Sequence, residues 1–142
     1  MANTIDLMVI NRSIPRAPVI PELAYPDIGE AITRLCGDFG FTLRLRIANH
    51  RAQLNVADGA VVLIEADPAA PMRASVLVRV DDVDAHYERV RLGSARILDA
   101  PETYPYGERQ YNVEDFAGHR WCFSESIYDA DPLDWGGTPV AL

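Results

Sequence analysis

The feature that most constrains the fold is an order of predicted elements that occurs twice along the chain. The segment "IGEAITRLCGDF" spaces its apolar residues at helical intervals, follows Asp27 and ends at Gly40. The segment "VDAHYERVRL" repeats this pattern between Asp82 and Gly93. One predicted strand precedes each helix, and three strands that alternate apolar and polar residues follow it. Because a solenoid needs at least three repeats, two copies predict a duplicated module.

Prolines and glycines set the expected boundaries of these modules. Prolines near the start predict a poorly anchored N-terminal arm over residues 1–17. A single domain is expected over residues 18–126, with module one at about 18–66 and module two at about 73–126. The Pro/Gly-rich tail, residues 127–142, is expected to lie on the surface or on a partner.

Length, charge and composition exclude several classes of function. A chain of 142 residues can bury one sizeable core. Its net charge of -8 argues against a nucleic-acid partner, and no apolar run is long enough to span a membrane. All 13 basic residues are arginine, which removes lysine Schiff-base chemistry. No secretion signal is recognisable at the start, so a cytoplasmic protein is expected.

Strand alternation assigns side chains to two faces. The apolar sets, expected in the core, are Leu43, Leu45, Ile47, Leu54, Val56, Val76, Val78, Val80, Trp121 and Phe123. The opposite, polar set is Arg44, Arg46, Gln53, Asn55, Ser75, Leu77, Arg79, Gln110, Asn112, Arg120, Cys122 and Ser124. This polar face is either a ligand pocket or a surface that simply meets solvent.

Three stretches carry a resemblance to a known family: "LAYPDIGEAITRLCGDFGF", "VRVDDVDAHYERVRLGSARI" and "PYGERQYNVEDFAGHRWCFSE". Over about residues 18–126 the chain resembles the vicinal-oxygen-chelate superfamily of glyoxalases, bleomycin resistance proteins and extradiol dioxygenases. In character it is most similar to the metal-free, bleomycin-resistance-like members. The resemblance implies an α+β fold of two βαβββ modules with pseudo-twofold symmetry. It also implies curled half-barrel sheets with helices on the outer face, usually completed by a homodimer.

The resemblance also implies where a metal would bind, because metal-using members place His or Glu at four strand positions. Here these positions hold Ile20, Leu63, Ser75 and Cys122, which cannot together chelate a divalent ion. Glu22 and Glu65 could each replace one of these ligands, but two carboxylates and a lone thiol still make an improbable metal site. The histidines, His50, His86 and His119, are interpreted as surface or turn residues. We therefore expect no metal and no cofactor.

Other reactive or aromatic residues leave alternatives open. Cys122 is either a nucleophile, if nearby arginines lower its pKa, or an inert cysteine of the cavity. Tyr104 and Tyr106 lie in a loop and Trp135 in the tail, where no periodicity predicts burial. This loop either overhangs the pocket and offers flat surfaces to an aromatic ligand or is a structural turn braced by proline.

The expected function is metal-free binding of a small organic molecule on the polar face, with no catalytic residue assigned. The alternative is a lyase, isomerase or dioxygenase of the superfamily with an atypical or absent metal site, and a vestigial pocket is a third possibility. The arginines of the polar face favour an anionic or carbonyl-rich ligand over a cationic drug. The predicted ligand-binding residues are Ile20, Glu22, Arg46, Gln53, Asn55, Leu63, Ser75, Arg79, Tyr106, Asn112, Arg120 and Cys122.

Overall fold

The computed structural model describes residues 10–70 and 72–139 of the chain. The chain divides into two compact units after Arg73, here called module one and module two. Each module contains one α-helix packed on a mixed β-sheet, which confirms the α+β class. No helix within the described residues is long and apolar enough to cross a membrane.

Module one has the predicted order of a strand, a helix and three strands. The strands pair in the order β1-β4-β3-β2, with β1 parallel to β4 and the other pairs antiparallel. The elements are β1 (Glu22–Tyr25), α1 (Ile28–Phe39), β2 (Thr42–Ile47), β3 (Arg51–Val56) and β4 (Gly59–Glu65).

Helix α1 begins and ends where the sequence predicts. The carboxylate of Asp27 accepts a hydrogen bond from the N–H of Glu30 at 3.0 Å. Gly40 ends the helix in the left-handed region, with φ of 81°, and its N–H donates to the carbonyl of Cys36. The residues that α1 buries are Ile28, Ala31, Leu35 and Phe39.

A register shift in β2 overturns part of the face assignment. Leu43 pairs with Leu54 but Leu45 pairs with Gln53, so one extra residue is inserted and the alternation changes face. Arg46 consequently shares the face of Ala52, which belongs to the core. Of the three residues predicted for the core here, Leu43 and Ile47 are 45% and 48% exposed, because β2 is the edge strand. That part of the prediction is wrong.

Module two contains one strand more than predicted. Its strands pair in the order β5-β9-β8-β6, and the additional short strand β7 pairs with β8 inside the segment expected to be a loop. Strand β5 is parallel to β9, and the other pairs are antiparallel. The elements are β5 (Ser75–Arg79), α2 (Val83–Arg91), β6 (Arg96–Ile97), β7 (Glu102–Thr103), β8 (Glu108–Glu114) and β9 (Arg120–Ser126), followed by a 3₁₀ helix (Pro132–Trp135).

Two histidines of module two are more buried than the sequence suggested. His86 on α2 packs on Phe123, with 4.1 Å between ring centroids, and its Nδ1 lies 2.6 Å from the hydroxyl of Tyr111. His119 is 1% exposed, and its Nδ1 accepts a hydrogen bond from the N–H of Ala74 at 2.8 Å. The interpretation of both as surface or turn residues therefore needs correction. His119 holds the beginning of β5 against the turn before β9.

Candidate functional site

The polar face of module two consists of side chains from three adjacent strands, β5, β9 and β8. Residues that pair across strands point to the same side of a sheet. The observed pairs are Ser75 with Arg120, Leu77 with Cys122, Arg79 with Ser124, Asn112 with Cys122, and Gln110 with Ser124. The structure thus brings together five of the predicted site residues: Ser75, Arg79, Asn112, Arg120 and Cys122.

One end of this face is a connected hydrogen-bond network. The amide of Gln110 donates to the hydroxyl of Ser124 at 3.0 Å, and this hydroxyl donates to Glu108 at 2.8 Å. Arg79 hydrogen-bonds to Ser126 and lies 3.9 Å from the Glu108 carboxylate. Burial alone would raise the pKa of Glu108, but hydrogen bonds from Ser126 and Ser124 and the charge of Arg79 lower it. Glu108 is therefore held as an anion.

The other end of the face surrounds Cys122. The guanidinium of Arg120 donates to the side-chain oxygen of Asn112 at 3.1 Å, and the Asn112 amide donates to Asp99 at 2.9 Å. Burial raises the pKa of the Cys122 thiol; Arg120 lowers it in part, and Asp99 raises it further. A raised pKa disfavours the thiolate, so the geometry favours the inert-cysteine alternative.

Alkylation of Cys122 tests this environment. In a Cys36→Ala background, we expect the pH midpoint of the reaction with iodoacetamide to lie above that of a free cysteine. Arg120→Met should move the midpoint higher still, because Arg120 is the group that lowers this pKa. Arg91→Met, which removes an exposed arginine of helix α2 paired with Glu88, is the matched control and should leave the midpoint unchanged. A midpoint that falls in Arg120→Met would contradict the assignment.

An aromatic cluster lies beside Cys122 on the same module. Tyr104 and Tyr106 stack with 5.4 Å between ring centroids, and Trp135 meets Tyr106 edge-on at 5.7 Å. The hydroxyl of Tyr106 donates to Gln110 at 2.7 Å, which ties the cluster to the polar network. Burial, and then the proximity of Cys122 and Glu108, raise the pKa of Tyr106. Tyr106 and Trp135 remain 36% and 46% exposed, so their rings are available to a ligand.

The tail is fixed to this cluster. The carbonyl of Gly107 accepts hydrogen bonds from the N–H of Ile127 at 2.8 Å and of Tyr128 at 3.4 Å. The hydroxyl of Tyr128 donates to the carbonyl of Pro105 at 3.3 Å. The 3₁₀ helix that follows carries Trp135 onto Tyr106. Residues 127–137 therefore belong to the surface of module two.

Module one positions its predicted site residues less uniformly. Gln53 and Asn55 share the face opposite the buried Leu54. Glu22 lies at the β1 edge, where its carboxylate is 3.3 Å from Arg51, and Ile20 is half-buried just before this strand. Gln53 is only 7% exposed, because residues 12–14 lie over it.

Two residues predicted for the site lie elsewhere. Leu63 is fully buried and pairs with Ala52 on the core face, so it cannot contact a ligand on the polar face. Arg46 donates to the carbonyl of Ala48 at 2.7 Å and to Asn49 at 3.3 Å, away from Gln53. The bulge in β2 accounts for Arg46, and the different lengths of the two hairpin turns account for Leu63.

Glu22 and Glu65, the acidic residues considered from the sequence as metal ligands, do not lie on the same face. Glu22 pairs with Val62 and Glu65 with Tyr25, so their side chains point to opposite faces of the sheet. His50 lies 3.4 Å from Glu65 at the exposed end of β4. Over the ranges 10–70 and 72–139, no three His, Cys, Asp or Glu residues come close enough to hold a metal ion.

Several residues of the site were not identified from the sequence. Leu77 is 66% exposed beside Cys122; strand alternation correctly assigned it to this face, but it was not included among the predicted ligand-binding residues. Asp99 and Glu108 come from a loop and a strand end, where no pattern in the sequence indicates their partners.

Comparison with known proteins supports these assignments of fold. Residues 19–123 match the model of the Glyoxalase/Bleomycin resistance protein/Dioxygenase superfamily. TioX from Micromonospora sp. ML1 is 33% identical, with 78% of this chain and 99% of TioX covered and a TM-score of 0.70. No match was found among curated proteins.

Two further structures share the fold at lower identity. TnmS3, an antibiotic binding protein from Streptomyces sp. CB03234, is 24% identical over 75% of this chain and 93% of its own, with a TM-score of 0.63. Lactoylglutathione lyase from Agrobacterium tumefaciens is 18% identical over 79% of this chain and 95% of its own, with a TM-score of 0.64. The family match covers most of the chain, and the two modules have the architecture that it predicts. The chain therefore belongs to the glyoxalase/bleomycin resistance protein/dioxygenase superfamily.

Proposed function

We propose that this protein binds a small organic molecule without a metal ion and without transforming it. The observation that carries the proposal is the exposed cluster of Tyr104, Tyr106 and Trp135 beside Cys122 on a polar sheet face. Flat rings next to fixed hydrogen-bonding groups are the usual composition of a site for an organic ligand. TnmS3 is an antibiotic binding protein with the same fold, which supports the proposal that this fold can serve binding.

The charges around the cluster indicate the chemistry of the ligand. Arg120 lies at one end of the face and Arg79 at the other. A guanidinium group can donate hydrogen bonds to carbonyl or carboxylate oxygens of a ligand. A flat ring system that carries such oxygens could stack on Tyr106 and reach one arginine. The proposed contacts in module two are Ser75, Arg79, Tyr106, Asn112, Arg120 and Cys122.

Module one offers a polar face of its own, with Gln53 and Asn55 at its centre and Ile20 and Glu22 at its β1 edge. We propose this face as a second ligand-contacting surface. We further propose that the protein acts as a cytoplasmic homodimer, as the family resemblance suggests. Light scattering coupled to size-exclusion chromatography measures the oligomeric state, and a monomeric mass would contradict the dimer.

Tryptophan fluorescence provides a direct test of ligand binding. Of the two tryptophans, Trp121 is fully buried and Trp135 is exposed, so quenching by a ligand reports mainly on Trp135. We use anthraquinone-2-carboxylate as the anionic probe and 2-(aminomethyl)anthraquinone as its cationic counterpart. Saturable quenching by the anionic probe, tighter than by the cationic one, is the expected result.

Variants locate the bound probe. Tyr106→Leu should weaken binding of both probes by about two- to tenfold, because an aromatic contact contributes about 0.5–1.5 kcal/mol. Arg120→Met should weaken only the anionic probe, and Arg91→Met, which changes an exposed arginine of helix α2, should weaken neither. Equal affinities for Tyr106→Leu and the parent protein would refute the proposed location.

Metal retention separates binding from the alternative enzyme. After incubation with Fe(II), Mn(II), Ni(II) and Zn(II) and desalting, elemental mass spectrometry should find far less than one ion per chain. The reason is that the family's ligand positions hold Ile20, Ser75 and Cys122, with the fourth strand position shifted to an aliphatic residue. A stoichiometric ion would instead favour a lyase, isomerase or dioxygenase.

A further inference from the structure

Three consecutive backbone carbonyls before β1 are held by two side chains of module one. The guanidinium of Arg44 donates to the carbonyl of Arg12 at 3.1 Å and to that of Ile14 at 3.2 Å. The amide of Gln53 donates to the carbonyl of Ser13, between them, at 2.8 Å. Arg44 also donates to the side-chain oxygen of Gln53, and this hydrogen bond holds the two side chains next to one another. Residues 12–14 are here called the strap.

The strap is held mainly by these hydrogen bonds. Pro15 is buried, but Ile10 and Ile14 on either side are 74% and 50% exposed. Asn11, the residue before the strap, accepts hydrogen bonds from the N–H of Ser13 at 3.0 Å and from the N–H of Ile14 at 3.5 Å, so residues 11–14 form a turn. Since little apolar surface secures the strap, a competitor that offers the same oxygen atoms could replace it.

A cavity continues from the strap along the same face. Its volume is about 260 Å³, with Pro15–Ala17 on one side and Arg44, Asn55 and the β3–β4 turn on the other. The side-chain amide of Asn55 lies two residues beyond Gln53 on β3 and donates to Thr42 at 3.1 Å. Space for a ligand longer than the strap is therefore available next to the donors.

We propose that Arg44 and Gln53 form a binding site for a turn of an amide chain, and that the strap, which is such a turn, occupies this site in cis. The ligand class follows from the contacts, because all three hydrogen bonds go to backbone carbonyls and none to a strap side chain. A peptide or another oligoamide that folds into a turn presents consecutive carbonyls side by side in this way. The inference extends the proposed function by naming what the polar face of module one binds.

Cis occupancy has a measurable consequence. A tethered segment acts at an effective concentration in the millimolar range, so a free ligand meets a site that is mostly filled. If the strap is docked in about nine of ten molecules, the apparent affinity of a free ligand falls about tenfold. Releasing the strap without altering Arg44 or Gln53 should therefore raise the apparent affinity for a free ligand about tenfold.

The test uses the full chain and the variant Pro15→Asp, which places a charge where a proline is buried and should release the strap. Hydrogen–deuterium exchange over residues 10–20 is expected to rise in Pro15→Asp and also in Arg44→Met. Arg46→Met is the matched control, since Arg46 lies two residues along β2 but contacts Ala48 and Asn49. Its exchange over residues 10–20 should equal that of the parent protein.

The probe is the peptide acetyl-Asn-Arg-Ser-Ile-Pro-Arg-Ala-amide, which copies residues 11–17. By titration calorimetry, Pro15→Asp should bind it about tenfold more tightly than the parent protein. Adding Arg44→Met to Pro15→Asp should abolish binding, whereas adding Arg46→Met should not. Unchanged exchange in both strap variants, or peptide binding that does not depend on Arg44, would overturn the inference. Anthraquinone binding at Tyr106 is measured separately, and its result tests the proposed function of module two without testing the strap.

Discussion

Replacing Asp115 with alanine is expected to lower the free energy of unfolding of module two by about 3–5 kcal/mol. The carboxylate is 6% exposed and accepts three hydrogen bonds, from the N–H of Ala117, the N–H of His119 and the indole N–H of Trp121, each at 3.0 Å. Alanine leaves these donors without their acceptor, and each buried unsatisfied donor costs about 1–3 kcal/mol. Chemical denaturation followed by tryptophan fluorescence measures the loss, because both tryptophans lie in module two.

Two variants calibrate this result. Asp115→Asn keeps one acceptor oxygen for the turn and should recover part of the loss. Asp58→Ala changes the exposed turn of the module-one hairpin and should alter stability by no more than about 0.5 kcal/mol. A loss below about 1 kcal/mol in Asp115→Ala would show that the turn is held by other contacts.

The effect of Asp115 extends to the candidate site. The carboxylate orients His119, and His119 in turn accepts the N–H of Ala74, the residue before β5. Strand β5 carries Ser75, Leu77 and Arg79 onto the polar face. In molecules that remain folded, Asp115→Ala should therefore also weaken binding of the anionic anthraquinone probe.

The sequence predicts the parts of this fold that depend on local, repeating patterns. The spacing of apolar residues and the caps at Asp27 and Asp82 predict both helices to within a residue. Period-two alternation in β5 and β9 assigns Trp121 and Phe123 to the core and Cys122 to the opposite face. These signals are reliable because each strand keeps its register over its whole length.

Where register is interrupted, the same reasoning fails. Nothing in "FTLRLRI" signals the extra residue between Leu43 and Leu45, although it moves Arg46 onto the core face. The position of Leu63 was counted from a turn glycine, but the two-residue turn at Ala57–Asp58 is shorter than the turn before β9. Counted by strand pairing, Val62 rather than Leu63 corresponds to Cys122.

Contacts between distant segments were also outside the reach of the sequence. The strap binds Arg44 and Gln53 through backbone carbonyls, which every residue has, so its side chains give no signal. Trp135 reaches Tyr106 only because the tail is anchored at Gly107. The strap depends on side-chain to backbone hydrogen bonds and the tail on backbone hydrogen bonds, in both cases between residues far apart in the sequence.

Gly107→Ala is expected to destabilise module two by about 3 kcal/mol and to detach the tail. Gly107 has a φ of 84°, a conformation that costs about 1–2 kcal/mol for residues other than glycine. An added Cβ would also collide with the carbonyl oxygen of Tyr128, so the backbone of the tail must move away. The tail carries Trp135 onto Tyr106. When the tail detaches, the fluorescence emission of Trp135 should therefore shift to the red, and both anthraquinone probes should bind more weakly.

Gly37→Ala in α1 is the matched control. A Cβ at Gly37 meets open space, and alanine should stabilise the helix by about 0.5–1 kcal/mol. Unchanged unfolding and unchanged Trp135 emission in Gly107→Ala would show that the tail does not depend on this contact.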